Sequence, residues 1–403
     1  MKPNSNVQDQ TPATQSEVPI VSFAGCDWWY HNRGLFVPQV MTRLARFGKV
    51  VFVNSLGMRV PVLGKDKGAL KKLLRKLSSM VRYLRRDPPT GMYVLSPLSV
   101  PLKNPRAREW NRRFLLSQLR LVLGFLRVQK PIFYINSPPA WEVVKDLPRT
   151  LLIYERTDIY SEMPGADKEY VAQLDEQLVA RADIVIYVNR KLWEDGVKKN
   201  PNSILLGHGV DFELFAHAEE SGENPPDLQA LPRPVVGFFG DISDKTSDFA
   251  LLEFVAKAMP NVSFALVGDV SADVSRLRLL PNIYFLGKKN YVDIPHYGKN
   301  FDVAIMPWNQ NRWIEFCNPV KAKEYLALGR PIVSTYYPEV EPYRDLIYVA
   351  RGADDFVVKL RVALAEDDSD LRARRREIVR NETWDQKVAE LRTKIAASLP
   401  PKP

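Results

Sequence analysis

The chain has 403 residues, 45% of them hydrophobic, and a formal net charge of +10, enough for two α/β domains of ordinary size, each with its own core. Its two cysteines, Cys26 and Cys317, form neither a C-x-x-C pair nor a disulfide framework, which excludes a disulfide-stapled secreted fold and suits a reducing compartment, the cytoplasm by default. No stretch reaches the ~18 consecutive apolar residues of a transmembrane helix, so any membrane contact is expected to be peripheral.

Residues 1–18 are polar, without the charged and apolar regions of a signal peptide, and read as a disordered lead-in. An apolar strand at 20–25 then runs into the loop CDWWYHNRG and a helix over 35–47, the start of a βαβ unit. Further strands are predicted at 50–54, 92–95, 132–135, 151–154 and 184–188. This alternation implies a mainly parallel, doubly wound sheet whose ligands sit beyond the carboxyl ends of the strands. Asp27, Trp28, Trp29 and His31 should therefore face a cleft, where the aromatics either stack on an acceptor or pack between loop and helix.

The excess positive charge is local. Residues 65–86 carry net +8 and 103–130 net +7, leaving the rest of the chain at −5. Leu70, Leu73, Leu74, Leu77, Met80, Val81 and Leu84 recur at helical spacing between lysines and arginines, and 103–130 interleaves Trp110, Phe114 and leucines with arginines. Such basic amphipathic helices suit an anionic membrane surface, or cover the sheet with their apolar face and show their cations to water. Clustered cations are also the footprint of nucleic-acid binding, but no zinc-finger, ribonucleoprotein or helix-turn-helix arrangement accompanies them. No nucleic-acid partner is expected.

After the strand at 151–154 a loop carries Glu155, Arg156 and Asp158, acids at a carboxyl end that face the cleft. A carboxylate there can take a proton from an acceptor hydroxyl; alternatively Asp158 caps its loop or pairs with Arg156. A helix over 168–181 and the segment ILLGHGVDFELF, with His208, lead to a Glu-, Pro- and Asn-rich linker at 219–234. The domains are accordingly read as 19–218 and 235–383, with a closing helix from Trp384 and a tail over 384–403. In the second domain GFFGDISDKTSD ends the first strand, where Gly237 and Gly240 permit close backbone approach and the helix from Phe249 offers its amides to an anion. Strands at 262–267 and 283–287 precede LGKKNYVDIPHYGKNFDVAIMPW. The last informative stretch is NPVKAKEYLALGRPIVST, a helix ended by Gly329 and followed by a buried strand. Lys321 and Glu324, at i and i+3, share one helical face and can meet one ligand, a cation for phosphate and a carboxylate for sugar hydroxyls.

This stretch resembles the donor-binding run P-x-K-x-x-E-Y-x-A-x-G-x-P-V-V of GT-B glycosyltransferases, in particular bacterial chains of family 4 (group 1) and the glucuronosyltransferase of xanthan assembly. Pro319, Lys321, Glu324, Tyr325, Ala327, Gly329, Pro331 and Val333 fall in place. The resemblance implies two Rossmann-like domains facing across a cleft, the first for the acceptor and the second for a nucleotide-sugar. It implies donor contacts from Lys321, Glu324, Tyr325, Asn318, Gly240, Lys245 and Tyr291, with the backbone near Tyr291 reading a uracil edge. Asp158 falls on the general base of the xanthan-type enzyme, with Glu155 a weaker candidate, and His208 on its hinge histidine, so that Asp27, Trp28, Trp29, His31, Glu155 and His208 are acceptor or cleft candidates. Two positions depart from family 4. Phe316 stands in place of the first glutamate of its E-x7-E pair, and Asp241 in place of an arginine. Because family 4 retains and the xanthan-type enzyme inverts, the anomeric outcome stays open.

The expected activity is transfer of a sugar from a nucleotide diphosphate, UDP by resemblance, to a glycan or polyprenyl-linked acceptor in surface polysaccharide assembly, at the inner face of the cell membrane. The nucleotide-sugar is a substrate, so no cofactor is expected, and with no D-x-D pair at a strand end no metal requirement is expected either. The alternatives are a non-catalytic membrane-surface or nucleotide-sugar binding protein, or an epimerase or phosphorylase on the same fold.

Overall fold

The computed structural model describes residues 18–30, 34–56, 74, 78–98, 105–163, 166–222 and 224–401. Fourteen strands are described among these residues: β1 (Ile20–Phe23), β2 (Val50–Val53), β3 (Leu84–Arg86), β4 (Tyr93–Leu95), β5 (Ile132–Ile135), β6 (Leu151–Arg156), β7 (Ile184–Tyr187), β8 (Ser203–Leu205), β9 (Val235–Phe239), β10 (Ser263–Val267), β11 (Ile283–Gly287), β12 (Val303–Met306), β13 (Ile332–Thr335) and β14 (Tyr348–Ala350). They form two sheets, ordered β3-β4-β2-β1-β5-β6-β7-β8 and β11-β10-β9-β12-β13-β14. Every pairing is parallel except that of β3 with β4. The central strands are short apolar runs because helices cover both faces, and each sheet separates two hydrophobic clusters.

In the second sheet the order reverses between β9 and β12, so a crevice opens beyond their carboxyl ends, between the loops that begin at Gly240 and at Pro307. The first sheet has the same reversal between β1 and β5. Two doubly wound domains thus present their ligand-binding edges.

Three features differ from the sequence reading. Most of the basic segment 65–86 lies outside the described residues, and its described end is not one helix. Residues 78–81 are helical, but Tyr83 at φ 36° breaks the turn and 84–86 pair antiparallel along β4. The chain also enters the second domain before residue 219: Val210, Phe212 and Phe215 already belong to that domain's core. The Glu- and Pro-rich composition marks exposed chain, not the crossing itself. Within the predicted linker, Pro226–Gln229 is a short helix whose Leu228 is buried. The closing helix Trp384–Ser398 crosses back and contributes Trp384, Val388, Leu391 and Ile395 to the core of the first domain.

Candidate active site

The helix Val320–Leu328 stops at Gly329, left-handed at φ 73°, whose N–H reaches Leu326 O. Its length is fixed by that glycine at one end and Pro319 at the other. The helix is buried from Ala322 onward, so Lys321 and Glu324 leave their common face toward the crevice from within protein. The Lys321 ammonium lies 4.8 Å over the Phe238 ring and 5.4 Å over Trp308. It is aimed at Gly240, where a Cβ would stand 2.7 Å from Nζ. Gly240 adopts φ 143°, and a Cβ on the neighbouring Gly268 would fall on the Gly240 carbonyl, so the turns after β9 and β10 meet backbone to backbone. Burial lowers the pKa of Lys321, while Glu324 and Asp241 oppose that shift.

Glu324 accepts a hydrogen bond from the Tyr291 hydroxyl at 3.1 Å, and burial pushes its carboxyl up to about 7. Beside it the loop between Gly240 and the helix Phe249–Ala258 is clamped to the loop after β12. Asn309 and Asn311 donate to the carbonyls of Asp244 and Lys245 at 2.7 and 2.9 Å, and the Lys245 ammonium lies over the face of Trp313. Phe238, Trp308, Asn309, Asn311 and Trp313 therefore hold Lys245 and Lys321 on one wall.

The first domain supplies the opposite wall. Asp158 follows β6, and burial raises its carboxyl to about 6, with Lys245 and the Thr157 hydroxyl pulling it back. The Cys317 thiol, pushed up to about 12 mainly by burial, feels Asp158, Lys321 and Lys245 together. A carboxylate from one domain and two ammonium groups from the other thus act on the same buried thiol. Asp158 does not pair with Arg156, which instead forks onto Asp175 at 2.7–2.9 Å.

Several expected contacts lie elsewhere. Tyr325 is fully buried, its ring 4.4 Å from Phe239 and its hydroxyl accepting from Phe239 N–H at 2.9 Å. It is a strut under β9 with no surface for a donor, because the position after Glu324 turns into the core. Glu155 is equally buried, accepting from the Tyr134 hydroxyl at 2.5 Å and Asn136 Nδ2 at 2.9 Å, and burial raises it to about 8. Trp28 packs on Phe52 and donates its indole N–H to Asp87 at 3.1 Å, so neither it nor Asp27, which accepts from Ser79 Oγ at 2.7 Å, is open to an acceptor. Trp29 and Tyr30 remain half-buried beneath the Arg82 guanidinium. His31 lies outside the described residues. His208 sits between Phe36 and Trp384, and burial drops its imidazole to about 3, which keeps it neutral. Asn318 donates to Val188 O at 2.6 Å and so ties the signature helix to the first domain. Phe316 likewise packs against that domain's core under Lys191, which also pairs with Glu315.

The sequence reading missed Trp313 and Lys323. Trp313 carried no signal beyond its place in the cleft loop. Lys323 could have been found, because the helical period that turns Lys321 and Glu324 to the crevice turns Lys323 inward. Among the described residues no three His, Cys, Asp or Glu side chains converge on a metal site.

The family described as Glycosyl transferases group 1 matches residues 233–366. The provisionally named teichuronic acid biosynthesis glycosyltransferase TuaH of Bacillus subtilis (strain 168) is 28% identical over 234 residues, a match that spans 54% of this chain and 58% of that protein. Among solved structures, sucrose-phosphate synthase from Thermosynechococcus elongatus aligns with a TM-score of 0.67 at 15% identity, over 94% of this chain and all of that one. Anabaena HepE in complex with UDP and glucose aligns at 0.63 and 15%, over 96% of this chain and all of that one. At such identities these structures establish the fold. The chain is a GT-B protein, and its second domain carries the group 1 glycosyl transferase match.

Proposed function

We propose that this chain is a glycosyltransferase that moves a sugar from a UDP-linked donor to a hydroxyl of a glycan or polyprenyl-linked acceptor, in the assembly of a surface polysaccharide. The observation that carries this reading is the geometry of the donor wall, with the Lys321 ammonium aimed at the Gly240 turn and Glu324 beside it under the Tyr291 hydroxyl, while Lys245 lowers the pKa of the Asp158 carboxyl from the other domain. Similar proteins support the same reading: HepE has been seen in complex with UDP-glucose, and TuaH is assigned to teichuronic acid biosynthesis.

In this reading Glu324 accepts from ribose hydroxyls, displacing Tyr291. Lys321 and the Gly240 turn take the diphosphate. Asp158 removes the acceptor's proton as that oxygen bonds to the anomeric carbon and the bond from carbon to phosphate oxygen breaks. Negative charge grows on the leaving diphosphate, and the buried, preorganised Lys321 stabilises it without reorganisation. Lys321 fills the place a divalent ion takes in other transferases, so turnover should survive chelation.

The acceptor side is read as lying on an anionic membrane, at the cytoplasmic face. The helix Pro105–Phe125 buries Leu115, Leu119, Val122 and Leu123, yet its outer face also shows Trp110 at 75%, Leu121 at 69% and Phe125 at 75% exposure, with the exposed Arg113 and Arg120 along one flank. An apolar stripe with a cationic rim fits a lipid surface. No helix among the described residues is long and apolar enough to cross a membrane.

The deciding variant is Asp158→Asn. It should cost at least ~100-fold in turnover, the scale of one positioned proton acceptor, with UDP affinity by calorimetry within twofold. Turnover near the wild-type rate would remove Asp158 from the mechanism.

A further inference from the structure

The chain crosses between the domains twice, at 206–211 and at 380–384, and the structure joins the two crossings. Val210 N–H donates to Glu382 O at 2.9 Å, and Val210 and Thr383 form a parallel bridge. Gly209 lies so close to Trp384 that a Cβ there would stand 2.6 Å from the Trp384 backbone. Lys323 grips both strands of this crossing from the signature helix. Its ammonium, almost fully buried, donates to His208 O of the first crossing at 2.5 Å and to Glu382 Oε2 of the second at 2.9 Å.

We infer that Lys323 is a positioning residue that pins the donor helix to both interdomain crossings and so sets the angle between the domains. It touches no part of the crevice. Its neighbours in sequence, Lys321 and Glu324, line the donor wall, whereas Asp158 stands on the other domain. The distance over which a proton must pass from acceptor to Asp158 at the donor carbon therefore depends on the interdomain angle, while the donor contacts themselves lie within one domain. Loss of the pin should loosen the angle and slow transfer, leaving nucleotide binding intact. Glu382 also faces Lys387 at 3.1 Å, so removing the Lys323 charge does not strand a carboxylate.

That consequence for turnover rests on the transfer reading; the pin itself does not. The test places spin labels at Glu169→Cys and Val358→Cys, exposed positions in the first and second domains, and measures the interdomain distance distribution with and without UDP. Lys323→Met should at least double the width of the distribution, and Lys323→Arg should restore most of it. UDP affinity should stay within twofold, and kcat should fall tenfold or more. An unchanged width in Lys323→Met would overturn the inference, as would a UDP affinity that falls in step with melting temperature. Gly209→Ala, which wedges the crossings apart without touching a charge, should broaden the distribution in the same way and decides the matter if Lys323→Met does not fold. A wild-type protein without turnover would count against the transfer reading alone, because the distance measurement needs only UDP.

Discussion

Gly240→Ala would strike the donor wall at one atom. A Cβ at this position stands 2.7 Å from Lys321 Nζ and 3.0 Å from Cε, closer than side chains pack, so the lysine arm must swing aside by about an ångström. The backbone at φ 143° is one that residues with side chains rarely adopt, and holding alanine there costs ~1–3 kcal/mol. At ~2–4 °C per kcal/mol for a domain of this size, the melting temperature should fall by about 2–12 °C. Displacing Lys321 from the diphosphate forfeits a charge-assisted hydrogen bond worth ~1.5–3 kcal/mol, equivalent to about 10–100-fold in UDP affinity. The two costs separate in a double-mutant cycle with Lys321→Ala, read by calorimetry with UDP. Once the lysine arm is gone, Gly240→Ala should cost stability as before but weaken UDP by no more than about twofold. Additive losses in affinity, or a Gly240→Ala protein that binds UDP like wild type, would refute the assignment of Lys321 to the diphosphate.

Other expectations follow from the same geometry. If Asp158 with its carboxyl at about 6 is the proton acceptor, the acid limb of kcat/KM should bend near pH 6; a limb near 4, the ordinary carboxylate value, would point to another group. Glu155, pushed up to about 8, is held protonated in the folded state at neutral pH. Its contribution to stability is complete below the ordinary glutamate pKa near 4.3 and is lost as pH rises through about 8. Glu155→Gln should therefore flatten the fall in melting temperature between pH 5 and 8, with kcat within threefold of wild type; a hundredfold loss of kcat would make it catalytic after all. Replacing Trp110 and Phe114 by alanine should weaken binding to anionic liposomes at least fivefold, and wild-type binding should itself decline with salt. Binding that ignores both would rule out the helix Pro105–Phe125 as the lipid contact.

The fold was legible because short apolar runs alternate with helical periods, a pattern that both sheets obey, and the signature spacing put Lys321 and Glu324 on one face. What was not legible depended on partners far away in sequence. Tyr325 belongs to the same family run as Glu324, yet one step along a helix turns it into the core beneath Phe239. Arg156 lies two residues from Asp158 but answers Asp175 on the next helix, which leaves Asp158 to the crevice. Trp28 and Glu155 sit at strand ends where cleft residues are sought, and are consumed by Asp87 and by Tyr134 and Asn136. The crossing at 206–211 carries an ordinary apolar pattern, so the eye goes to the Pro-rich stretch after it. Phe316 in place of a glutamate reads as a lost donor contact; in three dimensions it is a gained contact between domains, packed against the first core under Lys191.

The claim that this crevice transfers a sugar is tested most directly by following free UDP released from UDP-linked sugars, with and without a glycan or polyprenyl-linked acceptor and in the presence of chelator. Release that depends on acceptor, persists with chelator and collapses in Asp158→Asn is the predicted result. Release that needs no acceptor, or acceptor-dependent release that Asp158→Asn leaves intact, would contradict it.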